Sequence, residues 1–305
     1  MITLVAAPSN LGLRPPQPSS VPGCAKAPEA LREAGLHRVL AEGGAGDGGV
    51  VLPGRYVDDA APGRLRNQEA IVDHARRLAS RLGRVLDAAN APLVLGGDCS
   101  ILVGAGLALA RRGRFGLVHV DGHTDFRHPG NSPDCASLAG EDLAAAVGRH
   151  WPVVADLDGL GPYVRPEDAV HVGCRDDDPH LDEVTAALGT VLPARDVVGD
   201  GACDAVAAVL EVVAAPDLEG YWIHVDVDVL DPSYMPAVDS PDPGGLAPGD
   251  LAALLAGLAP RAIGAQVTVF DPDLDPTGSH AALLTEVLGE ALPALGTRAR
   301  RRRAR

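Results

Sequence analysis

Lysine is almost absent from this 305-residue sequence, aromatic residues make up only 3% of it, and no two cysteines stand in CxxC spacing. Each shortage excludes something. Lys26, alone among many arginines and alanines, reads as coding bias rather than mechanism. With so few aromatics, a hydrophobic fraction of 46% must build its core from Ala, Val and Leu. The five cysteines (Cys24, Cys99, Cys135, Cys174, Cys203) are odd in number, so neither a disulfide framework nor a thiolate zinc knuckle is indicated, and a reducing cytoplasm is the expected location. Basic residues are also short. A net charge of −15 argues against nucleic-acid or membrane binding, both of which need a cationic surface.

The exception is a terminal cationic run, Arg298, Arg300, Arg301, Arg302, Arg303 and Arg305. Such runs are usually solvated, and contact with an acidic partner is the alternative. The opening residues MITLVAAPSN lack the basic and apolar regions of a signal peptide, and no stretch is apolar enough to span a bilayer. A soluble protein is expected. No long polar or Pro/Ser linker divides the chain, so the expectation is one domain over residues 1–297, followed by a disordered Arg-rich tail over 298–305.

Short apolar runs alternate with longer amphipathic ones. Strands are expected at Ile2–Ala7 and at 50–57, 92–95, 115–120, 168–173, 220–226 and 262–270. Helices are expected at 29–40, 68–88, 99–111, 138–147, 179–188, 203–213, 247–258 and 279–292. The helix over 68–88 is the clearest, because Ile71, Leu78, Leu82, Val85 and Leu86 recur at helical spacing. This alternation predicts an α/β fold with a mostly parallel sheet covered on both faces. Ligands in such sheets bind beyond the carboxyl ends of the strands.

Three motifs follow directly after expected strands: GGDCS at 96–100, HVDGHTD at 119–125 and HVDVDVLDP at 224–232. Asp121, His123 and Asp125 fall at i, i+2 and i+4, so an extended segment directs all three to one side, and Asp226 and Asp228 repeat the arrangement. Carboxylates with a single imidazole suit Mn²⁺ or a similar borderline-hard cation. Two such cations about 3.5–4 Å apart can bridge a water, lower its pKa and aim it at an electrophilic carbon. Either triplet alone would more often be a turn or a helix cap. Two of them beside a third glycine-rich strand end are hard to explain as capping.

These residues resemble the ureohydrolases, the family of arginase, agmatinase, formiminoglutamase and guanidino-acid hydrolases. GGDxS, DxHxD and DxDxxDP occur in the family's order and separation, followed by PxxGGL at 241–246, so the likeness runs from about residue 90 to 275. The resemblance implies a three-layer α/β/α sandwich, a trimer or hexamer, and a small-molecule substrate. It implies one metal site of Asp121, His123, Asp226 and Asp228, and a second of Asp121, Asp125, Asp226 and the residue after GGD. Asp121 and Asp226 would bridge, and Mn²⁺ is the expected ion, two per chain or one, with Zn²⁺ the alternative.

The chain also departs from the family pattern. The residue after GGD is Cys99 in place of His; it can ligate, leave its place to water, or be an inert buried thiol. Where arginases have SGNxHG this chain has CASLAGE at 135–141, which puts Ala139 at the position of a proton-shuttling His. Val269 stands where the family places a guanidinium-binding Glu, and Asp271 in the following loop is a substitute carboxylate. Asp178 in VGCRDDDP matches the Asp that contacts a substrate amino group. Arg127 is a candidate for a substrate carboxylate. His128, in the loop after Asp125, is a candidate acid or base on the expectation that it is exposed. His119 and His224 are either groups that orient the motif carboxylates or satisfied core histidines.

The expected reaction is C–N hydrolysis of a guanidino or amidino compound, with Asp125 and His128 as the catalytic pair. An N-hydroxyarginine-type or single-metal amide hydrolase is the variant within that class. A metal-binding relative without turnover is the alternative outside it.

Overall fold

The computed structural model describes residues 1–299. Eight strands form one sheet: β1 (Ile2–Ala7), β2 (Gly46–Val50), β3 (Ala91–Gly96), β4 (Gly116–Val120), β5 (Ala169–Val172), β6 (Thr190–Leu192), β7 (Tyr221–Asp226) and β8 (Gly264–Thr268). Their order is β2-β1-β3-β8-β7-β4-β5-β6, and every pairing is parallel. The central strands are buried on both faces and read as mostly apolar runs, interrupted by His119 in β4 and by His224 and Asp226 in β7.

The helices are α1 (Ala27–Glu33), α2 (Leu36–Glu42), α3 (Gln68–Asp87), α4 (Leu102–Ala110), α5 (Asp142–Ala146), α6 (Pro152–Ala155), α7 (Leu181–Ala187), α8 (Ala202–Val213), α9 (Pro248–Leu258) and α10 (Ser279–Ala291). One face of the sheet packs on α1, α2, α8, α9 and α10 through Val118, Val120, Ile223 and Val225. The other packs on α3 to α7 through Leu117, Ala169 and Trp222. This is the expected three-layer α/β/α sandwich, with alternate residues of each strand serving opposite cores.

Local chemistry explains where the element boundaries differ from the expected ones. The helix expected over 29–40 is split at Gly35, whose φ of 99° stops α1 and restarts the chain as α2. The strand expected at 50–57 is β2, several residues earlier over Gly46–Val50; its GDGGV sequence carries little β-propensity and is held by pairing to β1. The short edge strand β6 had no visible apolar run. The helix expected over 138–147 is a 3₁₀ turn at Leu138–Gly140 followed by α5. Residues 300–305 of the Arg-rich run lie outside the described residues. Among the described residues all five cysteines are free, and no helix is long and apolar enough to cross a membrane.

Candidate metal centre

The three motifs meet at the carboxyl edge of β3, β4 and β7. Glycine permits the approach of β3: a Cβ on Gly97 would overlap the Ser9 carbonyl. Asp98 is fully buried and accepts from Ser9 Oγ (2.8 Å), Gly12 N–H (3.1 Å) and Ser100 N–H (2.8 Å), so it fixes the loop rather than facing the site. That places Cys99 inward, with Sγ 2.9 Å from Asp226 Oδ2 and 3.0 Å from Thr268 Oγ1.

The parallel register stacks the site in rows. Across β5, β4, β7 and β8, His171, His119, His224 and Gln266 are aligned neighbours. Two residues further along β4 and β7 stand Asp121 and Asp226, with Thr268 beside Asp226 on β8. The motif carboxylates therefore sit directly above a buried row of imidazoles.

At one end of the site the donors hold one another. His123 Nδ1 donates to Asp228 Oδ2 at 2.9 Å and Nε2 to Asp242 Oδ2 at 3.0 Å. Asp228 Oδ1 accepts from Gly122 N–H at 3.0 Å. Burial opposes the charge on His123, but Asp228 outweighs it and pushes the imidazole up to about 11. Asp228 is in turn drawn down, burial notwithstanding, by His123 and by the Gly122 amide. Beneath it, the buried Arg175 guanidinium donates to the carbonyls of Asp228 (2.9 Å) and Asp242 (2.6 Å).

The other end lacks such compensation. Burial, reinforced by neighbouring carboxylates, pushes Asp121, Asp125 and Asp226 well above the usual carboxylate range. Asp121 accepts from His123 N–H through Oδ1 (2.7 Å), while its Oδ2 has no hydrogen-bond partner despite full burial. Asp142, at the start of α5, is likewise buried, raised by burial, in hydrogen-bond contact with Asp125, and has an unpartnered Oδ2. Five carboxylates crowd together with one imidazolium among them. Such a set stays ionised in a buried place only beside cations, and the orphaned Asp121 oxygen is where one would bind. Several of these groups, including Cys99 with Asp121 and Asp125, bring their donor atoms within 4.8 Å of one another.

A cleft of about 240 Å³ opens above this floor, and His123, Asp125, Asp226 and Asp228 all line it. Arg127 and Asp178 line it as expected. Asp178 clasps the DGHTD loop, accepting from Thr124 N–H at 2.9 Å and Thr124 Oγ1 at 2.7 Å, and Arg127 is steadied by Glu141 (3.3 Å). Val269 and Ala139 form apolar wall where the resemblance implied Glu and His. Val269 has a φ of 76°, an outlier for a β-branched residue, enforced by its N–H donating to the Gly97 carbonyl at 2.6 Å.

Two expectations need correction. His128 is not an exposed loop imidazole: it is buried against Phe126, its Nε2 pairs with Glu183 at 2.9 Å, and its Nδ1 accepts from Gly130 N–H. Asp271 does not line the cleft; its carboxylate caps the Asp273 amide (2.9 Å) and accepts from Gly23 N–H at 3.0 Å. Sequence reasoning missed Asp142 and the cleft residues Arg14 and Asp239. Asp142 sits in a five-residue helix with no motif around it. His171 was findable, since AVHV repeats the apolar-His-Val pattern of the two HVD strands.

A parallel α/β sandwich carrying a carboxylate and imidazole cluster at its carboxyl edge offers donor atoms that could hold metal ions. Comparison with known proteins gives the family. Residues 2–293 match the arginase family model. The chain is 28% identical to the arginase of Bacillus caldovelox over 74% of this chain and 76% of that protein. It is 30% identical to the N(omega)-hydroxy-L-arginine amidinohydrolase of Streptomyces lavendulae over 82% of this chain and 87% of that one. The solved B. caldovelox arginase superposes with a TM-score of 0.84 at 26% identity, covering 95% and 97% of the two chains. The chain belongs to the arginase family and is a hydrolase.

Proposed function

We propose that the protein hydrolyses a C–N bond of a guanidino or amidino small molecule, using divalent cations held by the DxHxD and DxDxxDP motifs. The observation that carries this is the convergence of His123, Asp125, Asp226 and Asp228 on one cleft floor, with a buried, unpartnered oxygen of Asp121 beside them. Asp121, His123, Asp226 and Asp228 would hold one cation. Asp121, Asp125 and Asp226, with Cys99 at the corner, would hold the other. Mn²⁺ suits this set best, and a thiolate contribution would favour Zn²⁺. A bound divalent cation supplies Lewis acidity that acidifies water and polarises the scissile carbon.

The chain's own groups do the rest. Asp178 accepts from a substrate ammonium, and Arg127 pairs with a substrate carboxylate, so a substrate bearing both lies with its C–N group over the carboxylate floor. Asp125, half-buried at that floor, accepts the proton released by the attacking water and passes it to the departing amine. Val269 leaves no carboxylate to grip a guanidinium from the cleft wall. That apolar wall, with the likeness to the hydroxyarginine enzyme, favours a modified guanidine over L-arginine itself.

We propose further that the enzyme works as a homo-oligomer, trimeric or hexameric, in the cytoplasm. The functional test is urea or ammonia release by Mn²⁺-loaded protein across guanidino, N-hydroxyguanidino and amidino compounds. Turnover abolished by EDTA and restored by Mn²⁺ is expected. A fully loaded protein inert on every compound would overturn the reading in favour of a metal-binding relative without turnover.

A further inference from the structure

The imidazole missing at position 99 has a substitute in the row beneath. We propose that His119 Nε2, together with Asp125 and Asp142 and with Asp121 Oδ2 at its edge, forms an inner divalent-cation site, so that one metal lies deeper than the GGD corner and needs no thiolate. This rests on the metal-dependent reading above and puts His119 and Asp142 in place of Cys99 and Asp226 around the second ion.

Geometry carries the argument. Two donors on one tetrahedral ion, each about 2.0–2.2 Å from it, lie about 3.3–3.6 Å apart. His119 Nε2 is 3.3 Å from Asp142 Oδ1 and 3.7 Å from Asp121 Oδ2, close to that spacing. His119, Asp125 and Asp142 each bring a donor atom within 4.8 Å of the other two. His119 and Asp142 are completely buried, and the oxygens left without partners here are Asp121 Oδ2 and Asp142 Oδ2. Unpartnered, fully buried carboxylate oxygens from two separate elements beside one imidazole nitrogen call for a shared positive charge.

The neighbouring side chains decide which imidazole ligates. Trp222 Nε1–H donates to Gln266 Oε1 at 3.2 Å, which turns the Gln266 amide nitrogen toward His224 Nδ1 at 2.6 Å. His224 must then accept at Nδ1, and its neutral form carries the proton on Nε2. That N–H faces Asp142 Oδ2 from 3.8 Å, beyond hydrogen-bond distance, and a nitrogen that carries a proton cannot ligate. His119 Nε2 also lies within hydrogen-bond distance of Asp142 Oδ1, at 3.3 Å, so a cation there takes the place of a proton on that nitrogen. Its Nδ1 lies 3.0 Å from His171 Nδ1, and with the proton there it donates to His171 and presents a bare Nε2 to the carboxylates. Cys99 meanwhile is engaged as a thiol between Asp226 and Thr268.

X-ray absorption on the Zn²⁺-loaded wild-type protein, with metal counting on variants, tests the site. An inner site gives a zinc shell of nitrogen and oxygen only, whereas ligation by Cys99 adds a sulfur at about 2.3 Å. His119→Leu and Asp142→Asn should each lose one of two equivalents. Cys99→Ser should keep both. Circular dichroism establishes that each variant is folded, and the wild-type absorption result stands even where a variant is not. A sulfur in the shell, or full metal retained by folded His119→Leu, overturns the inner site. A wild type that binds no metal at all overturns the parent reading instead.

Discussion

The two ends of the carboxylate cluster obey different physics. The His123–Asp228 end is satisfied by protein alone: imidazolium, amide and guanidinium balance the carboxylate, which ionises readily. The end toward Asp125 and Asp142 holds carboxyls lifted by burial and oxygens without partners. The first end is preformed, and a cation there would displace a proton from His123; the second holds buried oxygens that no group of the protein partners. The same family motifs thus supply one conservative end and one rebuilt end, and Cys99, Ala139 and Val269 all lie on or over the rebuilt one.

The largest effect is expected where the two ends share a ligand. Asp121→Asn should lower turnover by roughly 10³-fold or more, about 4 kcal/mol of transition-state stabilisation, with the circular dichroism spectrum unchanged; steady-state kinetics checks this. Retained activity would break the view that both ends act on one reaction. Next comes the substrate clasp. Asp178→Ala should raise KM about 10–100-fold for an amino-bearing substrate, the loss of one charged hydrogen bond, and should leave a substrate lacking the amino group less affected.

Val269→Glu tests whether the rebuilt end changed specificity. Restoring a carboxylate to the wall should raise kcat/KM for a plain guanidino compound by roughly tenfold relative to its N-hydroxy analogue. An unchanged ratio would mean that the apolar wall does not set substrate choice.

The smallest effect is on stability. Removing metal with EDTA should lower the melting temperature by roughly 5 °C or more, on the basis of about 2.7 kcal/mol at a hundredfold excess over Kd. The pH dependence has a definite sign. Asp121, Asp125 and Asp226 are raised in the fold, so without metal their contribution is full below about pH 4, the unfolded value, and is lost as pH rises through the folded values. Asp228 is depressed and acts in the opposite sense, its contribution being lost as pH falls below about 4. Cations need the carboxylates ionised. The gap in melting temperature between loaded and stripped protein should therefore widen from pH 5 to pH 8; scanning calorimetry at several pH values measures it.

Much of this was legible in the residues. Strands such as β4 and β7 announce themselves because burial on both faces demands a mostly apolar run, and carboxylates at their ends mark the ligand edge. The motif residues Asp121, His123, Asp125, Asp226 and Asp228 converge as their spacing implied. The misplaced elements are those that tertiary pairing creates: β2 exists because β1 offers an edge, not because GDGGV favours a strand. His128 sits in a loop yet is buried, because Glu183 on α7 holds the ring inward, a contact that loop position does not reveal. Asp142 was invisible because nothing local reveals that α5 starts beneath the β4 carboxyl end.

The central claim is that two cations complete this carboxylate cluster, and elemental analysis of purified, Mn²⁺-loaded and dialysed wild-type protein tests it most directly. Two equivalents per chain are expected, falling to one in Asp228→Asn, which damages only the preformed end. A wild-type protein that retains none would contradict the account.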